Sequence, residues 1–447
     1  MSEDASLLLS RAERLVERLR RHADQVEVYL ESGASLDVEL EKGAIASTGF
    51  SRSAGGAVRV VQGGRLGFAY FTQDTQAPAA LEQALRQSRH ATVLGYSLPS
   101  PGKAPALVGR WDPAVAALQV PDVLGLARDL LQGAAEAAPQ ATVSGGGASL
   151  SAAACAIVSS LGVAVADQAT SASGGASLVL EEGERSLSAS ESLGSHRLDL
   201  DGRAIAAKAA ETVLSLRKPK AVDAGGRFGL LLHPEAASEL VAGLVVSAAG
   251  GDDAMRGKTV WSGKLGTEVA HPSLSVRDDP HAPGAIGAVP FDDEGVPCAP
   301  LAILDGGVLR HYLFDSWDGH RHKQPTTASA VRDDFKVRPG TDTHHLVVSA
   351  AGARPWDALV AGMDDGFVVE SVLGAHTANV TTGDFSVTAP NVWRVRKGAI
   401  EGPVSEIAFA GNLPKLLQQL AGCGSEPKRM SGMQMPPLLF ADVDVSV

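Results

Sequence analysis

A change of period near residue 26 restricts the possible folds of this chain more than any other feature. From Val26 onward apolar and polar residues alternate in VEVYLE, LDVELE, AVRVVQ and GFAYF, with Ser-Gly, Lys-Gly and Gly-Gly pairs between the runs. Successive side chains of a strand point to opposite faces, so this pattern predicts an antiparallel meander with one buried face. The residues before it follow another rule. Leu8, Ala12, Leu15, Val16 and Leu19 recur at three- and four-residue steps and predict an amphipathic helix.

Two further helical stretches are expected at about residues 76 to 92 and 121 to 138, separated by a Pro- and Gly-rich loop from Ser97 to Gly109. Alternation returns over residues 142 to 198, now in Ala, Ser and Gly, which predicts closely packed hairpins. A helix from Gly202 to Leu216 leads into RKPKAVDAGG, whose Pro219 and glycines mark a boundary near residue 222. Beyond it come a buried-looking strand, RFGLLLHP, and a helix opening at Pro234, a residue suited to a first turn. After Gly250 short strands and turns dominate, with helices near Pro355 to Gly362 and Leu413 to Ala421. The expected fold class is α+β in two domains. Residues 1–222 form an α/β domain with an antiparallel sheet and flanking helices, and residues 223–447 form a β-rich, barrel-like domain with few helices.

At 447 residues the chain can supply two sizeable cores. A net charge of -12 without any run of Lys or Arg argues against nucleic acid as a partner. No apolar run is long enough to cross a membrane. The opening MSEDASLLLSRAERLVERLRRHADQ is polar from its first residue and does not read as a signal peptide. Cys155, Cys298 and Cys423 are far apart and odd in number, which fits a reducing compartment, so a cytoplasmic location is expected.

Several constellations are candidates for chemistry. His320 and His322, two apart in DSWDGHRHKQP, would share a face on a strand, but the stretch reads as a polar loop and a metal needs three or four ligands. The adjacent His344 and His345 would point to opposite faces. Glu235 and Glu239 lie one helical turn apart just after His233 and could form a carboxylate and imidazole site, although acids at a helix start are also favoured by its dipole. Asp292, Asp293 and Glu294 precede Gly295 and read as a turn with solvated acids. Neither Cys298 nor Cys423 has a recognisable His partner motif. A Gly-x-Ser-x-Gly elbow, a phosphate-binding loop and a dinucleotide fingerprint are absent.

The segments LLLHPEAASEL, GKTVWSGKLGTEVAHPSLSVRDDP, PFDDEGVPCAPLAILDGGVLRHYLFDS, NVTTGDFSV and EIAFAGNL, in that order, resemble the successive signatures of the carboxy-terminal domain of TldD/PmbA metallopeptidases. VEVYLESG, LDVELEKGAIAST and AVRVVQGGRLGFAYF are similar to that family's first domain. In the catalytic kind of subunit, the helix after Pro-Glu-Ala-Ala carries His-Glu-x-x-x-His, which binds zinc. Carried onto this sequence, the His positions fall at Ala242 and Ser247, the Glu position at Gly243 and a later acidic position at Gly250. The matching late Gly-rich segment, ESVLGAHTANVTTGDFS, also lacks the cysteine ligand.

The resemblance therefore implies a PmbA (TldE)-like subunit without the metal motif. It implies no catalytic residue and no cofactor on this chain. Zinc is expected in a TldD-like partner, in a heterodimer acting on unfolded peptides, peptide-antibiotic and other natural-product precursors included. It also implies that Asp384 and Ser386 face the peptide, and that the Asp292–Glu294 loop lies near the site. Two alternatives stay open. One is an autonomous, divergent hydrolase using residues such as His233, Glu239 and Asp252, and the other is a homodimeric binding protein.

Overall fold

A computed structural model describes residues 4–447; residues 1–3 of the polar opening stretch lie outside the described residues. The alternating segments form one six-stranded antiparallel sheet from β1 (Gln25–Glu41), β2 (Ala44–Gln62), β3 (Arg65–Phe71), β4 (Thr142–Ser159), β5 (Ala164–Glu182) and β6 (Arg185–Ser195), in the order β3-β2-β1-β4-β5-β6. All its helices pack on one face. Even-numbered β1 residues turn that way: Val26, Val28 and Leu30 meet helices Ala5–Leu19 and Ala77–Ser88, while Leu36, Val38 and Leu40 meet Val120–Ala137 and Gly202–Ser215. Period two in the strands and period 3.6 in the helices thus describe the two sides of one core.

The second half is built on two sheets. One runs in the order 384–389, 407–412, 438–446, β7 (Gly226–Leu232), 365–369, 392–396 and 399–404, with 420–423 beside 438–446. The other contains 308–309, 301–305, 274–278, 346–350, 433–435 and 428–430. Pairing is antiparallel except for two parallel neighbours, β7 with Asp365–Val369 and 346–350 with 433–435. The helical stretch from Pro234 to Ala249 fills the core between the sheets. Its middle, Ser238–Ala242, is a π-helical turn, an irregularity often found where a helix once served or still serves a site. Short helices Gly251–Met255 and Ser316–Arg321 stand where only strands and turns were expected. Each is five or six residues long, too short for a periodic signal. Among the described residues, no helix is long and apolar enough to cross a membrane.

The halves meet on the helix-free face of the first sheet. Odd-numbered Tyr29, Ala57 and Ile157 pack against Phe291 and Phe335, and the Arg332 guanidinium lies 3.9 Å from the Tyr29 ring centre. Beside them sits a buried ion triad. Arg59 donates to Glu27 through Nε (2.8 Å) and Nη2 (2.6 Å), and through Nη1 to Glu294 of the second half. All three side chains are 1–2% exposed.

The triad corrects the reading of Asp292–Glu294 as solvated acids. Asp292 accepts from the amides of Glu294, Val296 and Ala330, and Asp293 from that of Arg332. Asp292 and Glu294 are 1% exposed. Burial, then the Glu294 charge, push the Asp292 carboxyl well above the usual range. Burial also works against the Glu294 carboxylate, but Arg59 and the Ser316 donors together outweigh it and hold that carboxyl below its ordinary value. The local sequence was that of a turn, and a turn it is. What makes it internal is a guanidinium more than two hundred residues away in sequence.

Candidate functional site

Past the contact with Phe291 and Phe335, the two halves separate and leave a groove of about 1480 Å³. The distal helix-free face of the first sheet forms its floor. Because the strands are in register, odd positions of β1, β2, β4 and β5 align with even positions of β6. One row across the sheet reads Gly49, Asp37, Ser149, Ser173, Gly194, and the next reads Ser47, Glu39, Gly147, Gly175, Ser192. Small hydroxylated residues therefore line one face while the reverse face packs the helices. At Gly147 a Cβ would stand 2.2 Å from the Val38 carbonyl oxygen, so this close strand approach needs glycine. Ser149 and Ser35 donate to the two oxygens of Asp37 (2.6 and 2.7 Å), and Ser47 donates to Glu39 (3.0 Å). The opposite wall is Ala282–Ile286 with Lys428–Ser431.

β2 borders this floor with an unusual edge. β3 pairs only with Gly56–Gln62. Among the described residues no strand lies beside the outer edge of 44–55, although 44–54 are almost entirely exposed and include Phe50 at 61%. Such an edge offers free backbone donors and acceptors to another strand.

At the end of the groove lies a second cluster of ionisable groups. Lys428 bonds Glu191 of β6 (2.5 Å) and Glu235, so it too links the two halves. The other oxygen of Glu235 meets His233 Nδ1, and Glu370 lies 3.5 Å from the same nitrogen. Burial works against the Glu235 carboxylate, but His233 and Lys428 bring it down to about 2. Burial holds Glu370 above its usual range. Ligand atoms of His233, Glu235 and Glu370 all lie within 4.8 Å of one another.

The sequence had grouped His233 and Glu235 with Glu239. Instead, Glu239 is exposed and accepts from the Val372 amide (3.4 Å). Glu370 was missed. Its only sequence signal is that it ends the apolar run GFVV just as His233 ends GLLL, a likeness that gains meaning once the two runs are known to be parallel neighbours.

The remaining candidates are dispersed. His320 and His322 end a helix, not a strand or loop; His320 Nε2 meets the Leu94 carbonyl (2.9 Å) and His322 Nε2 meets Asp252 (2.7 Å). Asp252 also binds Arg256 and Arg321, so His233, Glu239 and Asp252 keep separate partners. His344 and His345 precede the strand Leu346–Ala350 and diverge. His344 Nε2 is 2.8 Å from the Ala328 carbonyl and 3.5 Å from Cys298 Sγ, while His345 is buried. This Cys298–His344 contact is invisible in sequence, but burial drives the thiol pKa up and the nitrogen is already engaged by a carbonyl, which does not make a nucleophile. Cys423 is buried and also raised. Asp384 and Ser386 are exposed on the edge strand Asp384–Ala389, where Asp384 accepts from Asn412 (2.9 Å), and neither lines the groove.

Of the positions that the resemblance aligns with zinc ligands, Ala242 is buried in the core, whereas Gly243 and Ser247 are exposed on one face. A methyl group, a bare Cα and a hydroxyl do not make a zinc donor set, and Gly250 adds no carboxylate. Zinc does not fit on this helix.

Family models match over residues 26–92 (PmbA/TldA metallopeptidase domain 1), 114–217 (central domain) and 225–447 (C-terminal domain). The chain is 24% identical over 408 residues to an uncharacterized protein of Methanocaldococcus jannaschii, covering 91% of this chain and 93% of that one. It is 26% identical over 213 residues to the metalloprotease PmbA of Escherichia coli O157:H7, a match spanning 47% of this chain and 44% of that protein. Its fold is shared with TldE from Thermococcus kodakarensis, with a TM-score of 0.86 and 23% identity over 98% of this chain and 100% of that one.

Proposed function

The chain belongs to the PmbA/TldD metallopeptidase family, and from that premise we propose that it is the non-catalytic, PmbA (TldE)-like subunit of a two-chain peptidase. In this reading a TldD-like partner carries the zinc and breaks the bond. This chain supplies the surface along which an unfolded peptide lies. Peptide-antibiotic and related precursors fall within that substrate class. The free cysteines, Cys298 and Cys423 buried and Cys155 half-buried, suit a cytoplasmic setting.

The observation that carries this reading is the joint occurrence of a Ser- and Gly-floored groove and an open edge on β2 beside it. At about 3.4 Å per residue, 44–55 offers roughly 40 Å of unpaired backbone. A peptide added there would be held by main-chain hydrogen bonds that do not read its sequence, and the small floor residues leave room for its side chains. Most of the backbone of a folded domain is already paired, so an unfolded chain is the better occupant of this edge. The exposed positions Gly243 and Ser247 provide no general base or ligand for hydrolysis, which favours placing the chemistry on another chain.

The test is to express the chain with and without a TldD-like subunit and to follow cleavage of an unfolded peptide and of a folded protein. Cleavage is expected only of the unfolded substrate and only with both chains present, and G243A and S247A should leave it unchanged. Hydrolysis by this chain alone, or a partner whose activity is indifferent to it, would overturn the reading.

A further inference from the structure

The cluster at the end of the groove has the geometry of a metal site that owes nothing to the family's zinc helix. β7 and the strand Asp365–Val369 are parallel neighbours with Leu232 opposite Val369, so His233 and Glu370 leave their strands side by side. Loops at the carboxyl ends of parallel strands are where open sheets present ligands. The backbone here is fixed. His233 N donates to the Val369 carbonyl (2.8 Å) and Ala236 N to the Glu370 carbonyl (3.2 Å), which holds Glu235, in the first helical turn, against both. Trp356 packs its ring against the imidazole at 5.9 Å between centres.

We propose that His233 Nδ1 and the carboxylates of Glu235 and Glu370 bind one divalent transition-metal ion, with its remaining positions open to water. Metal to nitrogen or oxygen distances of about 2.1 Å place neighbouring ligand atoms roughly 3 to 3.5 Å apart. The 3.5 Å between His233 Nδ1 and Glu370 already meets that spacing. Nδ1 faces both carboxylates, so a neutral ring with its proton on Nε2 presents a lone pair to the ion. One imidazole with two carboxylates selects the zinc, manganese, iron and cobalt class over calcium or magnesium, which prefer all-oxygen sites.

Charge supports the same conclusion. Glu191, Glu235 and Glu370 bring three carboxylates together in a partly buried pocket, with Lys428 in direct contact with two of them and Lys208 farther off. This excess of carboxylates favours a dication. Lys428 holds the oxygen of Glu235 that faces away from His233 and so acts as the outer partner that orients a ligand carboxylate.

This inference does not rest on the peptidase reading, and it is tested on the full chain alone without any activity assay. The chain is stripped with chelator, dialysed and titrated with Co²⁺, followed by visible absorption, and with Zn²⁺, followed by calorimetry and elemental analysis. One ion per chain is expected. E370Q, which preserves shape, should weaken binding about 100-fold or more, as should H233A, while H322A leaves it unchanged. Absence of binding at millimolar metal would overturn the proposal. So would equal binding by E370Q and the unaltered chain, or loss of binding in H322A alone, which would move the ion to the Asp252 pair.

Discussion

Arg59 is the most consequential single side chain between the two halves, and replacing it with Met isolates what the buried triad does. In R59M two carboxylates, Glu27 and Glu294, stay in the interior without a countercharge, and three hydrogen bonds are lost. Glu294 keeps the Ser316 amide at 2.7 Å and the Ser316 hydroxyl, neither of which carries a charge. Removing one partner of a buried ion pair costs about 3–5 kcal/mol, and here one cation serves two anions, so a loss of at least about 4 kcal/mol is expected. That is a large share of a typical domain's roughly 5–15 kcal/mol.

The triple variant E27L/R59M/E294Q removes the charges together and leaves an acceptor for the Ser316 amide. It should fall within about 1–2 kcal/mol of the unaltered protein, since a buried ion pair rarely outperforms well-packed neutral residues. Urea unfolding followed by circular dichroism and tryptophan fluorescence measures both. Trp261 is fully buried in the second half, and all the tryptophans except Trp111 lie there, so fluorescence reports chiefly on that half. R59M should separate the two signals, with the halves no longer unfolding together. A single variant within 1 kcal/mol of the parent, or a triple variant as unstable as the single, would refute the reasoning.

Asp315 makes stability depend on pH. Burial, and then the Glu294 charge, raise its carboxyl to about 7, so the folded state holds a proton that the unfolded chain has released above about 4. Stability contributed by this group should therefore fall as pH rises from about 4 to 7 and level off above, by up to roughly 4 kcal/mol. D315N keeps an acceptor for the Asp318 amide and should flatten that slope in denaturation curves taken at several pH values. Two glycines give opposite expectations in thermal unfolding. In G67A the new Cβ would lie 1.9 Å from the Ala84 carbonyl oxygen, so helix Ala77–Ser88 must retreat from β3 at a cost of about 2 kcal/mol or more. In G125A the Cβ meets open space inside helix Val120–Ala137, and stability should rise by about 0.5–1 kcal/mol.

Most elements of the first half were legible in sequence because their cause is local. β1 alternates since one of its faces meets helices, and the apolar stripe from Leu8 to Leu19 exists since that helix meets the sheet. Helix Gly202–Ser215 and the strand before Pro234 were found for the same reason. The Ser and Gly richness of β4 to β6 read as hairpins, but which face it lined waited on register across the sheet, and register is fixed by pairing partners.

The site was less legible, since its members meet only through long-range contacts. Asp292 and Glu294 look like turn acids until Arg59 is folded against them. Glu239 looks like a member of the His233 and Glu235 cluster, but its carboxylate is engaged by the Val372 amide. Glu370 joins His233 only because two strands far apart in the chain run parallel in one sheet. By itself the sequence determined the periods, the turns, the likeness to a family and the lack of ligands at Ala242, Gly243 and Ser247. Tertiary structure alone decided which charges are buried together and where the groove lies, because burial and charge pairing depend on distances in space that local pattern does not encode.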